Sequence, residues 1–146
     1  MILYNKGNIF NSEMETLVNP VNIVGVQGAG LAKQFKNNFG KEYFKNYLND
    51  CDLGTLSVGN LTVYYEDNIP KVLNFPTKIH WRDPSKLEYI EAGLDWIVNN
   101  YKEYNIKSLA IPPLGCGLGG LKKSDILPLI ETKLRYIDDL TVEIYI

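Results

Sequence analysis

The stretch SLAIPPLGCGLGG, residues 108–120, joins an apolar run that predicts a buried strand to a loop with four glycines. A helical pattern follows over about Asp125–Tyr136, in which Pro128 is acceptable only within the first turn. The stretch VNIVGVQGAG, residues 21–30, repeats this arrangement, because it follows a predicted strand at Thr16–Val18 and precedes a helix. Two glycine-rich strand-to-helix loops predict a ligand site at the carboxyl edge of a sheet.

Strand and helix signals alternate through the rest of the chain, with no linker, repeat or low-complexity tract. Further predicted strands are Ile2–Asn5, Leu56–Tyr65, Val72–Phe75 and Leu140–Ile146. A further helix is predicted from Leu31 to a C-cap at Gly40, and a second contains Tyr43 and Tyr47 and stops near Asp52-Leu53-Gly54. A third begins at a capping box formed by Ser85 and Glu88. Its predicted inner face consists of Leu87, Ile90, Leu94, Ile97, Val98 and Tyr101. We therefore expect a single domain, residues 1–146, whose central sheet is covered on both faces.

The composition is that of a globular domain that needs no metal or disulfide to fold. The 146 residues are 45% hydrophobic and 22% charged, and the net charge of −2 gives no global basic field. Cys51 and Cys116 match no zinc or redox spacing, and there is a single histidine, so we expect reduced thiols and neither a metal nor a cofactor. No signal peptide or membrane span is recognisable, which favours a cytoplasmic protein.

Glycine lets backbone N–H groups approach a ligand without a Cβ in the way. Successive N–H groups in residues 115–120 could form an anion-binding nest, helped by the start of the next helix, and a backbone nest needs no net positive charge. The alternative is that these glycines only make tight turns. The dinucleotide-binding fingerprint is matched weakly, since Gly28-Ala29-Gly30 lacks the third glycine at its proper spacing, and the phosphate-binding loop of nucleoside triphosphatases is absent.

Three segments together resemble the ligand loops of macrodomains: residues 18–22 (VNPVN), 28–35 (GAGLAKQF) and 111–121 (IPPLGCGLGGL). Within that family residues 74–82 (NFPTKIHWR) are most similar to the DarG antitoxin group, and the human terminal ADP-ribose glycohydrolase is a more distant relative. The resemblance covers nearly the whole chain. It implies a three-layer α/β/α fold with a mixed, mostly parallel six-stranded sheet, and ADP-ribose bound in the cleft between the two loops.

The resemblance also implies roles for individual residues. Asn8 and Ile9 would lie near adenine, with Asn8 in place of an aspartate, and Asn19 and Asn22 would approach the distal ribose. Residues 115–119 would hold the diphosphate. The full set expected to bind ADP-ribose is Asn8, Ile9, Asn19, Gly28, Ala29, Gly30, Leu31, Thr77, Leu114, Gly115, Cys116, Gly117, Leu118 and Gly119.

By the same resemblance Lys78 is the catalytic lysine, with Asn22 as the second catalytic candidate. The amine of Lys78 would act as nucleophile or base when neutral, or polarise the leaving group or orient the substrate when charged. The alternatives are a solvated surface lysine and a loop-capping asparagine. The human relative pairs its lysine with an aspartate in the second loop, where this sequence has Gly119, so a lysine–aspartate mechanism is in doubt here.

His80, Trp81 and Arg82 are candidates for contacting nucleic acid. Trp81 could stack on a base and Arg82 could contact a phosphate, or Trp81 could instead pack against the following helix. His80 is expected to be structural or to touch the substrate rather than to act as a base. Cys116 is expected to be a small loop residue rather than a nucleophile, since no base partner is evident.

The function that the resemblance implies is an ADP-ribosyl glycohydrolase that removes ADP-ribose from a DNA base, with single-stranded DNA as substrate. The DarG antitoxins carry a further C-terminal part that this sequence does not contain. A phage counter-defence enzyme is therefore expected as readily as an antitoxin that opposes a DarT-like toxin. Two other functions are compatible with the residues: a non-catalytic ADP-ribose-binding module, and a hydrolase of small ADP-ribose derivatives.

Overall fold

Six strands and three helices alternate along the chain in the computed structural model, which describes residues 1–146. The strands are β1 (Ile2–Asn5), β2 (Thr16–Val21), β3 (Thr62–Glu66), β4 (Ile69–Pro76), β5 (Ser108–Ile111) and β6 (Thr141–Tyr145). The helices are α1 (Gly30–Leu53), α2 (Leu87–Asn100) and α3 (Lys123–Leu134), and a 3-10 turn spans Ile9–Asn11. No helix is both long enough and apolar enough to cross a membrane.

The strands form one sheet in the order β1-β6-β5-β2-β4-β3. Every neighbouring pair is parallel except β3 with β4, which form a hairpin. The hairpin turns at Asp67 and Asn68, which have φ of 52° and 64°, the left-handed conformation that a two-residue hairpin loop requires. The prediction of a mixed, mostly parallel six-stranded sheet is confirmed.

Alternate residues of the strands face opposite helix layers, because side chains in a strand have a period of two. On β2, Leu17 packs on α1 in a cluster with Phe35 and Tyr43. Its neighbour Val18 belongs to the larger cluster, which α2 and α3 cover from the opposite face. The sheet is thus enclosed between α1 and the α2–α3 pair, as the three-layer prediction required.

Glycines with positive φ set the ends of two predicted elements, one helix and one strand. Gly40 interrupts α1 with φ of 84° and ψ of −166°, so the predicted end of a helix there is confirmed as a kink between two helical segments. The predicted strand Leu56–Tyr65 is wrong in its first half, where Ser57 and Asn60 form an isolated turn with Gly59 at φ of 78°. Only Thr62–Glu66 joins the sheet.

The predicted capping box in front of α2 is wrong. The N-cap is Lys86, without a side-chain hydrogen bond, and Ser85 is instead buried beneath the loop that follows β5. Leu87 and Val98, predicted to lie on the inner face, are 42% and 37% exposed. The other four predicted inner-face residues are buried: Ile90, Leu94, Ile97 and Tyr101.

Helix α3 begins two residues earlier than predicted, at Lys123, and this moves Pro128 out of the first turn. Proline has no N–H, so the Ser124 carbonyl loses its usual helical partner. Both residues are exposed, and water can bond that carbonyl instead.

Candidate functional site

A crevice opens between the carboxyl ends of β2 and β5. These strands pair only at Thr16–Leu17 with Leu109–Ala110, whereas β2 pairs with β4 over five positions. Two loops flank the crevice: loop 1, residues 22–29, follows β2, and loop 2, residues 112–122, follows β5. Both loops lead into a helix, as predicted, and ligands of open α/β sheets bind at such a place.

A pocket of about 470 Å³ lies at the β6 side of this crevice. Three residues predicted to bind the ligand line it: Asn8, Ile9 and Leu31. Its other lining residues, which sequence reasoning missed, are Gly7, Gln34, Pro112, Pro113, Lys123, Tyr145 and Ile146. Lys123 gives the pocket a cation besides the backbone groups that were predicted to hold the ligand.

Asn8 is exposed at this pocket and also shapes it. Its Oδ1 accepts a hydrogen bond of 2.9 Å from the Phe10 N–H, which caps the 3-10 turn. The Nδ2 amide group makes no hydrogen bond within the protein, so it can donate to a ligand. Ile9, 5% exposed, supplies an apolar wall.

Loop 1 is organised around the side chain of Asn22, which is 8% exposed. Its Oδ1 accepts from the N–H groups of Val24 at 3.1 Å and Val26 at 3.3 Å, and its Nδ2 donates to the Val26 carbonyl at 2.7 Å. The Tyr47 hydroxyl donates to the Asn22 backbone carbonyl at 2.8 Å. These bonds are those of a loop-capping asparagine, and only one N–H of the amide is left for a substrate.

Asn19 is buried under loop 1 rather than open to the crevice. It lies on the α1 face of β2, is fully buried, and donates from Nδ2 to the Tyr43 hydroxyl at 2.6 Å. Gln27 donates to the same hydroxyl at 3.1 Å, and that hydroxyl donates to Asn74 Oδ1 at 2.6 Å. Burial raises the pKa of Tyr43, which keeps its hydroxyl protonated. The Asn19 amide therefore supports loop 1 from beneath, and its expected contact with the distal ribose stays a prediction.

Tyr43→Phe is expected to destabilise the fold by about 1–3 kcal/mol, because the amides of Asn19 and Gln27 and the Asn74 oxygen all lose a buried partner. Chemical denaturation measures the change. Tyr136→Phe is the control, since Tyr136 is 79% exposed, and we expect it to stay within about 0.5 kcal/mol of wild type. Equal stability of the two variants would contradict the role given to the Tyr43 hydroxyl.

The exposed residues Gly28, Ala29 and Gly30 lead into the first turn of α1. No side chain caps this helix start, and Leu31 and Gln34 of the first two turns line the pocket. The first N–H groups of a helix have no partner inside the helix. This end of α1 can therefore bind an anion in the crevice.

Loop 2 folds back on itself at two glycines. Gly115 has φ of 74°, and its carbonyl accepts from the Leu121 N–H at 2.9 Å. A Cβ at Gly119 would lie 2.3 Å from both the Gly115 carbonyl oxygen and the Ser85 Oγ, so this position admits no side chain in this conformation. The Ser85 N–H in turn donates to the Gly119 carbonyl at 2.9 Å. Sequence reasoning assigned Ser85 to a helix cap and missed this support.

The side chains of loop 2 differ in what they can offer a ligand. Leu114 is fully buried in the core, so only its backbone can make the predicted contact with the ligand. Gly117 and Leu118 are exposed, and Leu118 reaches across to within 3.4 Å of a Cβ placed on Gly30. Burial raises the pKa of the half-buried Cys116 thiol, which disfavours the thiolate that a nucleophile requires.

Lys78 is the second residue after β4 and lies beside loop 2. Its ammonium donates to the Leu118 carbonyl at 3.1 Å and to the Trp81 carbonyl at 3.3 Å. The preceding residue, Thr77, is 5% exposed and donates its backbone N–H to the Val21 carbonyl at 2.9 Å, which ties this segment to the end of β2. Lys78 is thus held at the crevice by both neighbouring segments, and a third N–H of the ammonium is free for a substrate.

The three residues predicted to contact nucleic acid form a stack after Lys78, in which His80 is half-buried and Trp81 and Arg82 are exposed. The rings of His80 and Trp81 lie 5.4 Å apart at an angle of 29°, and the Arg82 guanidinium lies 4.7 Å from the Trp81 ring centre. His80 Nδ1 accepts from the Arg82 N–H at 3.1 Å. Trp81 is 45% exposed and belongs to no core cluster, so its ring is not part of the core that α2 covers.

The chain is similar to known proteins along nearly its whole length. A family model described as Macro domain matches residues 18–130. The chain is 42% identical over 148 residues to the DNA ADP-ribosyl glycohydrolase of Mycobacterium tuberculosis, covering 99% of this chain and 42% of that protein. It is 38% identical to the protein of the same name from Thermus aquaticus, covering 99% of this chain and 41% of the relative. The chain thus spans about two fifths of the length of these curated relatives.

Solved structures show the same fold. The macrodomain of Mycobacterium tuberculosis DarG superposes with a TM-score of 0.92 at 40% identity, covering 99% of this chain and 97% of that chain. Thermosipho africanus DarTG in complex with ADP-ribose gives a TM-score of 0.89 at 40% identity, covering 99% of this chain and 41% of that one.

Proposed function

The chain belongs to the macrodomain family, and from this premise we propose that it binds ADP-ribose and hydrolyses the bond between ADP-ribose and a base of DNA. The names of relatives at 42% and 38% identity support the reaction, and the ADP-ribose complex of Thermosipho africanus DarTG supports the ligand. The observation that carries the proposal is the position of the Lys78 ammonium, 3.1 Å from the Leu118 carbonyl of loop 2.

We assign the parts of the ligand to the parts of the crevice by their chemistry. The adenine occupies the pocket of about 470 Å³, where Ile9 packs on the ring and Asn8 offers its free amide. The diphosphate binds backbone N–H groups of loop 2 and the uncapped start of α1, because both present donors to an anion. The distal ribose then lies between loop 1 and Lys78.

Hydrolysis breaks the bond from the anomeric carbon of the distal ribose to a nitrogen of the base. The oxygen of a water molecule bonds to that carbon, one of its protons stays in the new hydroxyl, and the other balances the charge on the departing base. Lys78 donates its free N–H to the leaving group or to a ribose hydroxyl and so stabilises charge that develops as the bond breaks. Asn22 contributes by holding loop 1 in shape, with one N–H toward the ribose.

Gly119 supports a mechanism without a loop 2 carboxylate. No side chain fits at this position, since a Cβ would lie 2.3 Å from two oxygen atoms. The acid–base work therefore falls to Lys78 and water. The modified base leaves the crevice beside the exposed Trp81 ring, on which a base of single-stranded DNA could stack, while Arg82 meets a phosphate. A DarT-like toxin is the kind of enzyme whose product this chain would remove.

The test is incubation of the purified chain with three substrates: an oligonucleotide carrying ADP-ribose on a base, an ADP-ribosylated protein, and ADP-ribose 1″-phosphate. We expect the oligonucleotide to release free ADP-ribose and to regain an unmodified base, and mass spectrometry detects both products. Tight binding of ADP-ribose with no release from any substrate would identify a binding module instead. Turnover of the small phosphate ester alone would identify a small-molecule hydrolase.

A further inference from the structure

We propose that the outer face of α1 binds the DNA strand that continues from the modified nucleotide. This inference deepens the proposed function, because it adds a second contact surface for the same substrate. It starts from charge: residues 30–49 contain four lysines and one glutamate, a net +3, in a chain whose total is −2. The rest of the chain therefore carries −5, including Asp50 and Asp52 in the last turn of α1, so positive charge is concentrated in the first twenty residues of this helix.

Three of these lysines surround a groove on this face, which we call the α1 groove. It has a volume of about 360 Å³ and is lined by Lys36, Asn37, Gly40, Lys41, Phe44, Lys45 and Leu48. The three lysines are exposed, whereas Phe44 and Leu48 are half-buried and form an apolar floor. The Lys36 ammonium lies 4.2 Å from the centre of the Phe44 ring. A groove with cations at its rim and an aromatic ring at its floor suits a single strand, whose phosphates and bases need these two surfaces.

The kink at Gly40 allows this arrangement. Its φ of 84° breaks the regular helix between Lys36 and Lys41, and nothing lies within 4 Å of the position that a Cβ would occupy. The groove therefore has free space above Gly40, between lysines that belong to two helical segments.

The α1 groove continues into the site already described. Leu48 contacts loop 1, since its Cδ2 lies 3.0 Å from the position of a Cβ on Gly25. Phe44 and Leu48 pack on the same small cluster as Ile23, also a loop 1 residue. Between the groove and the crevice, Val24 and Val26 of loop 1 are 46% and 38% exposed. A strand whose modified base enters the crevice can thus pass over loop 1 and reach the lysines.

The binding test uses fluorescence anisotropy with a labelled, unmodified single-stranded oligonucleotide of about 15 nucleotides. We expect the triple variant Lys36→Gln, Lys41→Gln, Lys45→Gln to bind at least about tenfold more weakly at low salt. Neutralising three phosphate contacts gives a salt slope of about −2 on logarithmic axes, so the slope should become shallower by about that amount. The matched control is the triple variant Lys71→Gln, Lys102→Gln, Lys107→Gln. These lysines lie toward the amino ends of the strands, away from both loops, so the control variant should bind the oligonucleotide like wild type.

The activity test compares an ADP-ribosylated mononucleotide with the same nucleotide inside the oligonucleotide. The triple variant should show a raised KM for the strand, an unchanged kcat, and wild-type kinetics on the mononucleotide. If wild type hydrolyses neither substrate, the proposed function fails, whereas the anisotropy titration still decides this inference. Wild-type affinity and salt slope in the triple variant would overturn it. The inference would also be overturned if the wild-type protein bound polyglutamate but not the oligonucleotide, because that result would assign the groove to an acidic protein.

Discussion

Lys78→Ala should lower kcat on ADP-ribosylated DNA by about 10²–10⁴-fold, the range that a positioned proton donor contributes. Free ADP-ribose should bind with nearly wild-type affinity, because the pocket and loop 2 backbone remain in place. The reason is geometric: Lys78 is the one cation bonded to loop 2 through a side chain, with its ammonium on the Leu118 carbonyl at 3.1 Å. Single-turnover release of ADP-ribose and calorimetric titration with ADP-ribose measure the two quantities.

Two further variants make this result interpretable. Lys78→Arg keeps the charge in a larger, planar group that cannot reproduce both carbonyl contacts, so it should recover only a small part of the activity. Lys86→Ala removes an exposed lysine close by in sequence and should leave kcat unchanged. Substantial hydrolysis by Lys78→Ala would show that the lysine takes no part in the chemistry and is an ordinary solvated surface residue.

Gly119→Ala should weaken ADP-ribose binding at least about tenfold and destabilise the fold by about 1–3 kcal/mol, the usual effect of forcing a methyl group into a filled site. The added Cβ would lie 2.3 Å from the Gly115 carbonyl oxygen and from the Ser85 Oγ, and one of these is backbone of the same loop. Loop 2 must therefore move, and its N–H groups move with it. Calorimetry and thermal unfolding report the two effects.

The control for this substitution lies in the same loop. Gly117 has no atom within 4 Å of its Cβ position and no positive φ, so Gly117→Ala should leave stability within about 0.5 kcal/mol of wild type. Gly119→Asp, which introduces the acid that the human relative carries, should fail like Gly119→Ala. A stable, ADP-ribose-binding Gly119→Asp variant would show that loop 2 can rearrange and would reopen the lysine–aspartate mechanism.

Most of the fold was predictable because hydrophobic periodicity is a local signal of burial. The two loops, their flanking elements and the break at Gly40 could all be predicted from spacing. The errors have tertiary causes. Ser85 has the sequence context of a helix cap but is buried under loop 2, and Ser57 and Asn60 bond each other in a turn instead of extending β3.

The site was predictable in outline and less so in detail. Lys78 and loop 2 lie together, as the resemblance implied, but the Tyr43 network could not be predicted. Its partners Asn19 and Asn74 are 24 and 31 residues away in sequence, and a buried tyrosine has the same pattern as any core residue. The position of Asn19 follows from the strand period, since Asn19 shares the α1 face of β2 with Leu17.

The contact of Gly119 with Ser85 also has an evolutionary consequence. In this conformation of loop 2, a carboxylate at position 119 requires more than one substitution, because a Cβ there would collide with the Ser85 Oγ and with the Gly115 carbonyl oxygen. Removing the serine hydroxyl alone gives no benefit, since the Gly115 carbonyl still blocks the position. A change from glycine to an acid at position 119 is therefore expected only together with a rearrangement of the loop 2 backbone.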